Sequence, residues 1–196
     1  MAENDHNNPQ VAETDNDLIP VVNERDEVVG VKPRRQVHLE CLRHRAVHIG
    51  VYDSDGRLWL QQRAMTKDTW PGAWDLSATG HVDVDESYDA AAKRELAEEL
   101  GIDARPTFIA RFEASEQTGW EFQALYGLRW DGPIKNFDKR EISRMRRYTI
   151  DAIENILDGA DPRVTFAPSI AMALDYLTKA MPDRLRADHP KHPDLT

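Results

Sequence analysis

The chain has 196 residues, 40% of them hydrophobic, which is enough for one sizeable core, since a domain of about 150 residues buries roughly 70% of its unfolded surface. A formal charge of −10 and a pI near 5.1 argue against a protein that grips nucleic acid by neutralising its phosphates, and leave small anions accessible only with the help of a metal. A single cysteine excludes an intramolecular disulfide, no apolar run approaches the ~20 residues of a membrane span, and the first residues have neither the basic nor the apolar part of a signal peptide, so a cytoplasmic protein is expected.

Residues 1–17 are rich in Asn, Asp and Glu and lack any aromatic, so they are expected to be a disordered tail. Val21–Asn23 and Val28–Val31 flank a polar stretch and read as a short hairpin, followed by a brief helix over Arg34–Leu42. Ala46–Tyr52 and Leu58–Gln62 sit either side of Asp53-Ser54-Asp55-Gly56, a turn signal between two strands. Trp74–Thr79 reads as one further strand. From Ser87 to Leu100 there is no Gly or Pro and the composition favours a helix, with Gly101 placed as its C-cap. Thr107–Phe112, Glu121–Trp130 and Arg147–Ile150 read as strands, Asp151–Leu157 and Pro168–Ala180 as helices, and 182–196 as a second tail, leaving one domain over 18–181. Strands and helices intermix without regular alternation, which predicts an α+β fold.

On the 87–100 helix, Ala92, Leu96 and Leu100 form an apolar stripe, while Glu95, Glu98 and Glu99 fall at i, i+3 and i+4 on another face. Three carboxylates in one turn repel one another, and Glu98 and Glu99 also lie near the negative end of the helix dipole. Arg94, four residues before Glu98 in the weaker orientation for a helical ion pair, is expected to relieve little of this. A hard divalent cation would relieve it better. An Ala/Glu/Arg-rich helix can equally be a solvated surface helix, but the spacing around it is specific: Gly80, five residues, Glu86, seven residues, Arg94-Glu95-Leu96, one residue, Glu98-Glu99, one residue, Gly101-Ile102. Counting the seven identities other than apolar Leu96 and Ile102, each near one in about fifteen, a chance match is on the order of one in 10⁸ per starting point.

This pattern resembles the signature of the Nudix hydrolases. The resemblance implies a mixed sheet sandwiched between helices, Mg²⁺ or Mn²⁺ as cofactor, and hydrolysis of a diphosphate joined to another group. It implies Glu95, Glu98 and Glu99 as metal ligands, a ligand carbonyl at Gly80, and bracing roles for Glu86, Arg94 and Gly101. Glu95 is the expected base, with Glu121 its rival. Metal ions would offset phosphate charge while a carboxylate prepares the attacking water. The implied partner is a small-molecule diphosphate, with neither nucleic acid nor membrane, and a homodimer is compatible with it.

Outside the box, Cys41-Leu42-Arg43-His44-Arg45-Ala46-Val47-His48, Gln61-Gln62-Arg63-Ala64, Lys67 and Trp70-Pro71-Gly72-Ala73-Trp74-Asp75 resemble the type-1 isopentenyl-diphosphate isomerase branch and its hydrolase-like relatives. That likeness implies a second divalent site at His38, His44, His81 and Glu121, and contact of Arg63 and Lys67 with the diphosphate. It also exposes departures: Thr79 stands where the isomerase needs a cysteine, Gly119 where it has a second metal glutamate, and Ser169 where it has a tryptophan. A hydroxyl cannot do the thiol's proton transfer near neutral pH, so hydrolysis is favoured over isomerisation. A catalytically silent diphosphate sensor is a further alternative, although the glutamates such proteins lose are all present. Trp70 and Trp74 can wall a pocket or fill the core, Cys41 is expected to be an inert, partly buried thiol, and Arg144–Arg147 a solvated strand edge.

Overall fold

The computed structural model describes residues 17–67 and 69–180; the expected tails, 1–17 and 182–196, lie outside them apart from Asp17. Leu18–Val22 (β1) and Val28–Pro33 (β2) form the predicted hairpin as a separate antiparallel pair. Its turn is seated on the body by Asp26, a buried residue at φ 61° whose carboxylate accepts from Arg45 Nε (2.6 Å) and Tyr88 OH (3.1 Å) and forms an ion pair with Arg111 Nη2 (2.9 Å). A buried carboxylate is tolerable only when paired in this way. The helix Arg34–Leu39 (α1) is shorter than expected: Cys41 turns left-handed at φ 51°, and Leu42 N–H bonds back to Val37 O (2.9 Å), closing the end. Cys41 is exposed, correcting the expectation of a partly buried thiol.

The main sheet contains His44–Tyr52 (β3), Leu58–Arg63 (β4), Trp74–Asp75 (β5), Ala78–His81 (β6), Thr107–Phe112 (β7), Glu121–Arg129 (β8) and Ile142–Tyr148 (β9). The order is β5-β4-β3-β8-β7, with β6 also on β3 and β9 on β4; β3 and β8 run parallel, the other pairs antiparallel. On one face Tyr88–Leu100 (α2) packs Ala92, Leu96 and Leu100 against Val47, Ile49, Val51 and Tyr126. On the other, Ile150–Leu157 (α3) and Pro168–Ala180 (α4) pack Ile153, Ile170 and Leu174 against Leu58, Leu60 and Leu125. The helices on both faces make the expected mixed-sheet sandwich. Among the described residues, no helix is long and apolar enough to cross a membrane.

Two strand expectations need correction. Trp74–Thr79 is not one strand, because its two halves pair with different partners: Trp74 and Asp75 with Gln62 and Gln61 of β4, then Ala78–His81 with β3. The last strand is longer and begins earlier than 147–150, because Ile142–Tyr148 finds a complete partner in β4. Its Arg144, Arg146 and Arg147 are exposed, as a solvated edge requires.

The change of partner opens the sheet. β3 and β4 pair only at Val51–Trp59 and Tyr52–Leu58, then separate, and β6 and β5 each fill one side of the gap. Buried Ser77, between these two short strands, closes the fork: its Oγ accepts from Val51 N (2.7 Å) and donates to Trp59 O.

Candidate active site

Glu99 sits in this fork. Its Oε2 accepts from Thr79 N of β6 (3.1 Å) and from Gln61 Nε2 of β4 (3.3 Å), both groups being held by the strands that part there. Only 5% of Glu99 is exposed, and burial pushes its carboxyl well above the usual range, with the charge of Glu95 adding to the effect. Burial also pushes Glu95 up to about 7. Glu98 points outward, its side chain 60% exposed. Gly80 permits the arrangement, since a Cβ there would lie 2.5 Å from Glu95 Oε2 and closer still to Oε1. The helix therefore presents one carboxylate deep in the sheet, one at a glycine backbone and one to solvent.

Arg94 does far more than the helical spacing suggested. Its Nε and Nη2 grip both oxygens of Glu86 (3.0 and 2.8 Å), Nη1 donates to Glu95 Oε1 (2.7 Å) and Glu98 Oε2 (3.2 Å), and Nη2 also donates to His81 O (2.9 Å). The expectation considered an isolated i,i+4 pair. The loop before α2 instead brings Glu86 and the β6 backbone around the planar guanidinium, whose five donors serve them together. Gly101 takes the left-handed conformation expected of a C-cap, φ 67°.

The second group lies where α1, β3, β6 and β8 converge. The rings of His38, His44 and His81 have centroids 4.9, 5.1 and 5.1 Å apart, and one ligand atom from each, with one from Glu121, all lie within 4.8 Å of one another. The register explains this: Glu121 pairs with His44 across the parallel β3–β8 ladder, and His81 pairs with Ala46 across β3–β6.

His44 Nδ1 donates to Leu42 O (2.8 Å), which can only accept. Its Nε2 is buried with no hydrogen-bond partner and lies 3.6 Å from Glu121 Oε1. A lone pair facing a carboxylate oxygen in a buried place is favourable only with a proton or a metal ion between them. The donor set therefore fits a divalent transition metal. Burial, then the neighbouring His44, holds His81 well below the usual imidazole range, which keeps it in the neutral form that metals need.

Both clusters open on one cavity of about 1170 Å³, lined also by Arg63, Lys67, Trp70, Ser169 and Gly119. Arg63 is held by Thr69 O (3.0 Å) and Asp75 Oδ2 (3.4 Å), and Lys67 pairs with Glu141, so both cations already face partners. Trp70 stands half exposed at φ 50°, while Trp74 belongs to the core. Ser169 Oγ donates to Asp75 Oδ1 (3.0 Å). Among the described residues, about twice as many carboxylates as cationic side chains line the cavity.

Sequence reasoning missed Gln61, His48 and Gln123. Gln61 and His48 stand inside the segments that resemble the isomerase branch and Gln123 stands two residues after Glu121, but the resemblance assigns them no role.

A signature loop and helix braced by an arginine, seated in the fork of a mixed sheet, define a class that comparison with known proteins identifies. Residues 42–169 match the NUDIX domain family, and the chain belongs to it. It is 44% identical over 88 residues to the uncharacterized Nudix hydrolase YfcD of Escherichia coli K12, covering 45% of this chain and 49% of that one, so the chain spans about half the length of that relative. It is 37% identical over 136 residues to the uncharacterized Nudix hydrolase PA4841 of Pseudomonas aeruginosa, covering 69% and 80%. The crystal structure of DR0079 from Deinococcus radiodurans superposes with a TM-score of 0.71 at 30% identity, covering 81% of this chain and 98% of that one.

Proposed function

We propose that this chain is a divalent-metal-dependent hydrolase that cleaves the diphosphate linkage of a nucleoside diphosphate-X or another small diphosphate. The observation that carries the reading is the complete set of Glu95, Glu98, Glu99, Arg94 and Gly80, with Glu86 bracing Arg94, gathered at a cavity whose walls are more acidic than basic. Such a cavity repels a diphosphate unless cations are taken up first. Glu95, Glu98 and Glu99 would hold Mg²⁺ or Mn²⁺, with Gly80 O as a further ligand; His38, His44, His81 and Glu121 would hold a second divalent ion. When bound, these ions neutralise charge on the bridging and leaving phosphates. Arg63 and Lys67 steer the anion, and Glu95, beside the Gly80 backbone, would accept a proton from the attacking water. Glu121 is the rival base.

The histidine cluster favours a second reading, an enzyme like the type-1 isopentenyl-diphosphate isomerases. Against it stand Thr79, which supplies no thiol, and Ser169, which supplies no aromatic face and has its hydroxyl bound to Asp75.

The test is a panel of nucleoside diphosphate, dinucleotide and isoprenoid diphosphate compounds, assayed with Mg²⁺ or Mn²⁺ and with excess EDTA. Metal-dependent cleavage of the diphosphate linkage, read as the phosphomonoester products, that falls by orders of magnitude in Glu98→Gln and Glu99→Gln is expected. Full activity in EDTA or in both variants overturns the proposal. Dimethylallyl diphosphate formed from isopentenyl diphosphate at an enzymic rate would establish the second reading, and tight binding without turnover would establish a sensor.

A further inference from the structure

The two oxygens of Glu121 have different surroundings. Oε1 faces the cluster, 3.6 Å from His44 Nε2 and 3.8 Å from His81 Nε2. Oε2 faces away and is taken up by the protein: Gln123 Nε2 donates to it at 2.8 Å, and His48 Nε2 lies 3.7 Å from it. The amide nitrogen of Gln123 has two hydrogens, and the second is directed to Thr118 O (3.3 Å). Gln123 is itself 5% exposed and His48 6% exposed, so neither the amide bond nor the imidazole contact competes freely with water.

Local structure makes this clamp rigid. Glu121 and Gln123 are two apart on β8, so their side chains leave the same face of the sheet. Thr118 lies in the turn that leads into that strand. There Ser115 and Thr118 cap each other reciprocally, and Gly119 closes the turn at φ 64°. Gln123 thus spans from a fixed carbonyl to one carboxylate oxygen, and its planar amide leaves no freedom for the carboxylate to swing.

We propose that Gln123, supported by His48, is a positioning residue that commits Oε2 of Glu121 to the protein and offers Oε1 alone to a divalent cation at the histidine cluster. The inference rests on the second metal site of the proposed function and assigns how that site is tuned. A carboxylate with both oxygens free can chelate through two; one tied back by an amide binds through one, giving three imidazole nitrogens and a single oxygen. The loss of the second acidic ligand at Gly119 makes this orientation matter more, because Glu121 is the one carboxylate among the four clustered groups. Partners of this kind fix a ligand's direction, and removing one typically weakens metal binding about 10- to 100-fold.

The experiment compares the wild-type full chain with Gln123→Met, of similar length and without the amide, and with Gln123→Leu, using Co²⁺ as the probe. Affinity is read by calorimetric titration, coordination by the visible absorption of bound Co²⁺, and folding by thermal unfolding in EDTA. His44→Ala serves as the control for the site itself. The expected result is Co²⁺ binding weakened about 10- to 100-fold in both Gln123 variants with an altered absorption spectrum, while metal-free unfolding stays within a few degrees of wild type for at least Gln123→Met. Unchanged affinity and spectrum in Gln123→Met, alongside lost binding in His44→Ala, overturns the inference and spares the site. Unchanged Co²⁺ binding in His44→Ala removes the site, and the inference with it. Should the weakening track lost thermal stability in both Gln123 variants with the spectrum unaltered, Gln123 is merely structural and the proposal fails.

Discussion

Replacing Gly80 by alanine separates fold from function at a single atom. The added Cβ would lie 2.5 Å from Glu95 Oε2 and nearer still to Cδ and Oε1, where ordinary contact begins near 3.4 Å. The carboxylate must therefore retreat by about 1 Å, giving up its 2.7 Å bond from Arg94 Nη1. Two features limit the cost to the fold. Gly80 has no left-handed φ, so alanine strains no backbone, and the clashing group is the far end of a side chain whose neighbour Arg94 retains Glu86. A stability loss of about 1–3 kcal/mol is expected, in the range of mild overpacking. Catalysis has no such slack, since a misplacement of about 1 Å in a positioned group costs on the order of 100-fold. The assay is formation of the phosphomonoester product from the best substrate of the panel at saturating Mg²⁺, paired with thermal unfolding in EDTA. A folded Gly80→Ala protein turning over within twofold of wild type would refute the placement of Glu95 in the reaction.

The remaining predictions concern pH and the hairpin. Burial raises the Glu95 carboxyl from 4.5 to about 7, so the metal-free fold binds this proton more tightly than the unfolded chain does. Its contribution is fully present below about 4.5 and is lost as pH rises through 7, by at most about 3 kcal/mol. Glu95→Gln should accordingly gain stability over wild type in EDTA between pH 5 and pH 8, measured by urea unfolding, and a flat difference contradicts the burial argument. His81, held low by burial, acts in the opposite sense as pH falls below its ordinary value, which is why the difference between the two proteins is the informative quantity. Asp26→Ala leaves Arg45, Arg111 and Tyr88 without their shared acceptor and should cost about 3–5 kcal/mol, as for a broken buried pair, whereas Asp26→Asn should cost less. Equal urea midpoints for Asp26→Ala and wild type would show that the hairpin is seated by other contacts.

Much of this protein is written locally. The periodicity of 87–100, the Ser87 cap and Gly101 specify α2 without reference to any other element, and the apolar runs either side of the Asp53–Gly56 turn specify two strands. The spacing from Gly80 to Ile102 likewise puts four glutamates, an arginine and two glycines into one loop and helix, and helical geometry alone decides which of the helical ones share a face. What each of those groups meets is a property of distant chain. Trp74–Thr79 has the composition of one strand and becomes two only because β3 and β4 part and offer separate edges. Arg94 has Glu98 as its helical neighbour by spacing, and gains Glu86 and the His81 carbonyl only by tertiary placement. Glu99 is buried because the fork closes over it, and its proton affinity follows from that burial. His38, His44, His81 and Glu121 span more than eighty positions, and only the parallel pairing of β3 with β8, the antiparallel pairing of β3 with β6 and the seat of α1 bring their ligand atoms together. Local periodicity dictates which residues share an element; long-range strand pairing dictates which elements share a cavity, and it depends on contacts no short window of sequence contains.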